Sequence, residues 1–420
     1  MKRVLTPLLV LFLAGCSTIT HNQRVALKNG QIHINGKTVF LKIAKVLRRF
    51  DHASDIEKLE KDLPIIREKG YNMVEFSIYW DQFDKDGDGQ LEDAPVESLR
   101  HIIAVARKQG FLVGLSTEIY GVGGGTVPAG LFDRNPDIVA INSEGYPVSD
   151  TEYGFGTMVP SLYAPAFLET SRAFIRNLAA AVDSDEVFWY ETSVEPQYIG
   201  NQSIDYSVHA RQQYEAWLSR NGIPGPAWPE SFPIPQSFQH DPTWNRFRAE
   251  WLAEWVNGDA AAFRSVAGDH VLIAVDYLET GGPEMWRRNG DSRTFLRNLT
   301  CANVIQVNWH WHLGTRSPNT IAYENLRAVM DETQRDWAIS EHMTINGSDY
   351  FVEEMPALLR NTLEQGTLLG WEFVNVAART ADPFSLYNDD WSPKPTMAQV
   401  DLYWDAWMDE VSKERQKQRQ

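Results

Sequence analysis

Gly70-Tyr-Asn-Met-Val-Glu-Phe-Ser-Ile-Tyr-Trp80 is the stretch on which the fold turns. It opens on a glycine and runs straight into a short apolar strand. Before it, Asp55–Lys69 carries apolar residues at helical spacing and stops at that glycine. After it, Val96–Lys108 does the same and stops short of Gly110, as a helix C-cap would. Strand following helix following strand marks βα units and a parallel sheet. Working outward, the strand candidates are 40–47, 73–80, 112–119, 187–195, 271–277, 304–310, 336–342 and 367–375. The later helices fall at Ala164–Val182, Tyr206–Arg220, Thr243–Val266, Ile321–Asp336, Pro356–Gln365 and Lys394–Val411. Eight repeats predict an α/β fold, a (β/α)8 TIM barrel. An open doubly wound sheet is the competing reading, but no glycine-rich phosphate loop follows the first strand.

Ahead of the barrel, Val25 to Phe40 alternates apolar residues around two Asn-Gly turns, which predicts an N-terminal β-hairpin. A second departure lies between Ile223 and Pro242, where six prolines accompany Trp228, Phe232 and Phe238. This loop insertion reads as a surface loop or as the edge of a cleft. The barrel is expected over 26–410, followed by a polar tail at 411–420.

The chain has 420 residues, with 39 Lys+Arg against 56 Asp+Glu and a formal charge of −17. That balance disfavours nucleic acid as a partner, because phosphate binding needs a basic face. Two cysteines, Cys16 and Cys301, exclude a disulfide framework. Fifteen Trp, 15 Tyr and 19 Phe exceed what a core needs and would suit flat platforms for sugar rings.

Residues 1–15 read as a signal peptide: Lys2 and Arg3, an apolar run from Val4 to Leu13, then Leu13-Ala14-Gly15-Cys16. The last four residues resemble the lipobox of bacterial lipoproteins. The resemblance implies lipidation at Cys16, a lipidated tether over 16–25, and a membrane contact through the anchor alone. Ser17 resembles outer-membrane sorting in a Gram-negative cell. The mature chain then keeps 37 basic and 56 acidic residues, a charge of −19.

Chemistry in a parallel barrel sits at the C-terminal ends of the strands. The fourth strand runs Phe188-Trp-Tyr-Glu-Thr-Ser-Val-Glu195-Pro196-Gln-Tyr198, the seventh ends Asp336-Trp-Ala-Ile-Ser-Glu341-His342, and the eighth carries Gly370-Trp371-Glu372. Strands 4 and 7 face each other across the mouth, so Glu195 and Glu341 could approach to about 5–5.5 Å, the separation a retaining glycosidase needs. Alternation puts Glu191, Ser193 and Glu195 on one face, with Glu191 deeper. Other strand-end residues suited to holding a sugar are Tyr79, Trp80, Glu118, Tyr198, Tyr277, Trp309, His310 and Trp371. Arg48, Arg49, Arg287, Arg288 and Arg316 could meet an anionic sugar or form a solvated rim. Asp84, Asp86 and Asp88 match the first half of a calcium loop, but Pro95 stands at the twelfth position. No cofactor is expected beyond that candidate structural calcium.

With these residues in view the chain resembles a clan A glycoside hydrolase, most closely the catalytic barrel of glycoside hydrolase family 42. The segments Ile34–Phe40, Gly70–Trp80, Pro136–Gly145, Val159–Tyr163, Tyr214–Leu218 and Trp244–Phe247 carry the resemblance. It implies that Glu195 is the acid/base, Glu341 the nucleophile and Trp371 the floor of a sugar subsite. Val194 stands where the family has the Asn that holds the sugar 2-hydroxyl. The expected activity is retaining hydrolysis of a β-linked galactoside or polysaccharide. A non-catalytic glycan-binding lipoprotein and an inverting glycosidase are the competing readings. The partner is carbohydrate, and the oligomeric state is open.

Overall fold

The computed structural model describes residues 25–28, 31–120, 126–150, 157–279, 284–310, 320–344, 368–382 and 384–417. The expected leader, Cys16, the helix at 356–365 and Arg316 lie outside these residues. So do the side chains of Trp309, His310 and Glu341.

Three short antiparallel strands come first: β1 (Val25–Lys28), β2 (Gln31–Ile34) and β3 (Lys37–Val39). Then follow β4 (Leu41–Val46), β5 (Met73–Tyr79), β6 (Leu112–Glu118), β7 (Trp189–Glu191), β8 (Leu272–Tyr277), β9 (Val304–His310), β10 (Ala338–Thr344) and β11 (Leu368–Phe373). These eight close into a barrel in the order β10-β11-β4-β5-β6-β7-β8-β9, every neighbour parallel. Each strand falls where the sequence placed it. The helices Ala53–Glu68 and Asp93–Lys108 end before Gly70 (φ +85°) and Gly110 (φ +83°), left-handed positions where an L side chain is strained. The last helix, Pro395–Lys417, continues through most of the stretch expected to be a tail.

Alternation divides each strand between two cores. Val74, Phe76 and Ile78 of β5, Val113 and Leu115 of β6, and Ile305 and Val307 of β9 belong to the outer core, packed with helix residues. Leu41, Ile43, Met73, Leu112, Trp189, Ala274, Val304, Ala338 and Leu369 fill the barrel's floor, and Ile32 of β2 closes it from below. Large and small residues complement each other there. A Cβ at Gly114 would lie 2.5 Å from the Trp189 indole nitrogen and 2.8 Å from the Met73 methyl carbon. Above that floor the inward positions turn polar.

The aromatic surplus is mostly core. Trp80, Trp189, Trp244, Trp255 and Trp371 are all fully buried. The insertion after Ile223 is built the same way, with Trp228 and Phe238 packed on Tyr206, Tyr214 and Trp244. It also braces the long loop after β6: Ile234 N–H donates to the Ser143 carbonyl at 2.7 Å, and Phe232 lies against Gly145.

Candidate active site

Polar residues interrupt the apolar strands at alternate positions, and the register lines them up. Glu75 stands opposite Gly114, Ser77 opposite Ser116, and Tyr79 opposite Glu118. Glu191 pairs with Ser116, Asp276 with Gln306, and Ser340 with Gln306 and Gly370. Among the described residues, six carboxyl groups thereby gather inside the upper barrel: Glu75, Glu118, Glu191, Glu195, Asp276 and Glu372.

Glu195 lies just past β7 and is almost wholly buried. Its backbone takes φ +47°, a left-handed conformation that is rare for a residue with a side chain and is held by its surroundings. Its own N–H donates to Asp276 Oδ2 at 3.1 Å. One carboxylate oxygen accepts from Gln197 Nε2 at 2.8 Å and the other from Asn308 Nδ2 at 2.9 Å. The same Asn308 nitrogen donates to Asp276 Oδ2 at 3.0 Å, and Arg288 Nη1 donates to Gln197 Oε1 at 2.7 Å. Amide donors on both oxygens fix the position of the carboxyl group.

Glu118, at the end of β6, is a second buried carboxyl. Burial pushes its carboxyl up to about 7, against the pull of Lys45 and the Ser77 hydroxyl, while Glu75 and Glu195 push the same way as burial. Tyr79, beside it at the mouth, is also raised, by burial and then by Glu118. Glu118 therefore holds its proton close to neutral pH.

Below them is a buried charge cluster. Lys45 Nζ lies 2.7 Å from Glu191 Oε2, 3.0 Å from Glu75 Oε1 and 3.8 Å from Glu372 Oε1, and it donates to Ser116 Oγ at 3.2 Å. Trp189 Nε1 donates to Glu75, and Gln306 Nε2 to Glu372 at 2.8 Å. Burial is the largest influence on Glu75 and pushes it up, but the charge of Lys45 and hydrogen bonds with Glu191, Lys45 and Trp189 together leave this carboxyl below its usual range. Burial raises Glu191 and Glu372 well above theirs, and Glu75 adds to that in both. The oxygens of these three glutamates are close enough together for a metal ion. Lys45 puts an ammonium there instead.

Several expected sugar contacts turn out to be core. The Trp371 ring packs against Phe373 and Trp404 on the helix side of β11, and Glu372 takes the inward position. Trp80 stacks on Phe174 and donates its indole N–H to Asp84. Tyr198 shares a hydroxyl hydrogen bond with Tyr163 and lies under the Arg248 guanidinium, 4.3 Å from its ring centre. Tyr277 stacks on Phe295. Tyr79 and Glu118 pair with each other at the C-terminal ends of β5 and β6. Glu341 is paired with Val307 and Trp371 in the register, and its side chain lies outside the described residues, as do those of Trp309 and His310. Of the calcium candidates, Asp84 spends its oxygens on Trp80 and on the Asp88 and Gly89 N–H groups, and Arg134 binds the Asp86 and Gly87 carbonyls.

Among the arginines, Arg48 is buried against Asp62, Arg49 is held by Asp51 and Asp81, and Arg287 pairs with Glu284. Asn308, Gln197, Lys45, Glu75 and Glu372 were not foreseen as a set. The signal was available: Val304-Ile-Gln306-Val-Asn308 places its polar residues at every second position, which marks the inward face.

A closed parallel barrel with buried carboxyl groups at the C-terminal ends of its strands places acid and base groups where barrel enzymes carry their chemistry. Residues 49–221 match the family model for glycoside hydrolase family 42, described as beta-galactosidase. The catalytic domain of beta-amylase from Paenibacillus polymyxa superposes with a TM-score of 0.60 at 12% identity, covering 87% of this chain and 98% of that one. The endo-1,4-beta-mannanase from Rhizomucor miehei gives 0.57 at 12% identity, covering 92% and 99%. An exo-beta-1,4-mannosidase from Opitutaceae bacterium strain TAV5 gives 0.55 at 12% identity, covering 91% and 62%. At that identity these structures share the fold alone. No curated protein sequence matches the chain. Residues 49–221 are thus similar to glycoside hydrolase family 42, and the chain as a whole shares the closed barrel fold of these hydrolases.

Proposed function

We propose that this enzyme hydrolyses a β-glycosidic bond with retention, Glu195 acting as acid and then base and Glu341 as nucleophile. The observation that carries the reading is Glu195 itself: a buried carboxyl just beyond a barrel strand, held in strained backbone and gripped by two amides. In the first step Glu195 gives its proton to the leaving oxygen while Glu341 attacks the anomeric carbon. In the second it takes a proton from water, which displaces the sugar from Glu341. Glu118, which keeps a proton near neutral pH, is suited to donate a hydrogen bond to a sugar hydroxyl.

The test is turnover of neutral aryl β-glycosides and β-linked polysaccharides, with the anomer of the first product read by NMR. Glu195→Gln and Glu341→Ala are expected to lose at least about 1,000-fold in kcat. Retained anomeric configuration supports the double displacement, whereas an inverted product assigns the chain to the single-displacement class. Binding without cleavage in the unaltered protein makes Val194 the mark of a non-catalytic glycan binder.

The leader supports a lipid-anchored protein of the outer membrane, attached through Cys16. Among the described residues no helix is long and apolar enough to cross a membrane. Radiolabelled palmitate is expected to label the native chain, and the Cys16→Ser variant is expected to stay unlabelled.

A further inference from the structure

We infer that Lys45 is a positioning residue for the reaction, resting on the glycosidase reading above: one ammonium at the foot of the site fixes the charge of the carboxyl layer and so decides whether Glu118 carries a proton when a sugar binds.

The geometry is a buried cluster with one cation and too many acids. Lys45 reaches up from β4 to Glu75 on β5, Glu191 on β7 and Glu372 on β11, all fully enclosed. It also donates to Ser116, two residues below Glu118 on the inward row of β6. One ammonium balances one carboxylate. The cluster lowers Glu75 and raises Glu191 and Glu372. Three carboxylates around one cation in a site walled off from water must share protons among themselves.

Among the described residues, the titratable groups acting on Glu118 are Lys45 from β4, Glu75 and Tyr79 from β5, and Glu195 from beyond β7. Lys45 is the largest opponent of burial there, and its pull exceeds the push of Glu75. Removing the ammonium therefore moves Glu118 in one direction. If Glu75 stays ionised, Glu118 loses its cation and gains an uncompensated neighbour. If Glu75 takes up a proton in exchange, both contributions vanish, and the larger of them was the pull downward. In either case Glu118 holds its proton more tightly.

The experiment compares the native chain with Lys45→Met and with Lys45→Met/Glu75→Gln. The double variant removes cation and carboxylate together, so the barrel folds without an unpaired buried charge. The protonated-carboxyl infrared band is titrated with pH, and the Glu118 contribution is assigned by its loss in Glu118→Gln. The pH profile of kcat/KM on a neutral aryl β-glycoside is recorded alongside. Both variants are expected to move the Glu118 titration upward from about 7, by roughly half a pH unit or more, a threefold tighter proton, with the profile following. A folded double variant in which Glu118 titrates unchanged or lower overturns the inference. A native chain that cleaves no β-glycoside refutes the glycosidase reading instead, while the infrared titration still decides what Lys45 does.

Discussion

Trp371→Ala separates the two roles a tryptophan on the last barrel strand can play. Its ring is fully buried, with Phe373 at 6.1 Å and Trp404 at 6.1 Å between ring centres. Truncating a core tryptophan leaves a cavity and costs about 3–5 kcal/mol. With an unfolding entropy of ~2.1 cal/mol/K per residue, a chain of this size loses about 0.8 kcal/mol of stability per degree near its midpoint. The expected fall in Tm is therefore about 5 °C, read by differential scanning calorimetry at fixed scan rate. On the same preparation at 25 °C, KM should stay within about twofold of the native value, because no sugar-binding contact is removed. A Tm unchanged within a degree together with a tenfold rise in KM would refute the core assignment and restore the ring as a sugar platform.

Asn308→Leu removes an amide that bridges Glu195 and Asp276. A hydrogen bond to a charged group is worth about 1.5–3 kcal/mol, so kcat/KM should drop roughly 10- to 100-fold in a folded protein. Native-like kinetics would remove Asn308 from the site. Gly114→Ala places a methyl group against Trp189 and Met73 in the barrel floor, and a loss of about 1–3 kcal/mol in denaturant unfolding is expected. Glu118 gives a pH signature with a definite sign. Its carboxyl is raised from 4.5 to about 7 on folding, so between those values the folded chain binds more protons than the unfolded one. Stability relative to Glu118→Gln should therefore fall as pH rises through that window and level off above it. A difference that stays flat between pH 4 and 8 contradicts the assignment.

The eight strands were legible because each is a short apolar run bounded by glycines and helices, and period alone locates such runs. Which face of a strand looks inward is a different question. At the end of β5 the bulkiest residue, Trp80, was expected in the mouth, but the inward row is Glu75, Ser77 and Tyr79, and Trp80 belongs to the helix side. The same slip of one residue separates Trp371 from Glu372, because a single step along a strand exchanges the two faces. Aromatic bulk misled because large rings serve cores as well as clefts. The alternation of polar side chains inside apolar strands was the better guide. The Lys45 cluster was hidden for another reason: its four members lie on four strands, from residue 45 to residue 372, and only closure of the barrel makes them neighbours.

The small sheet of β1 to β3 seals one end of the barrel, with Ile32 seated among the first residues of the strands. That gives the molecule a direction. The chain enters at the sealed end, opposite the carboxyl groups. Eight residues lie between the lipidation candidate Cys16 and β1, a reach of at most about 30 Å when fully extended. A lipid on Cys16 would thus tether the barrel from its sealed end, opposite the carboxyl groups.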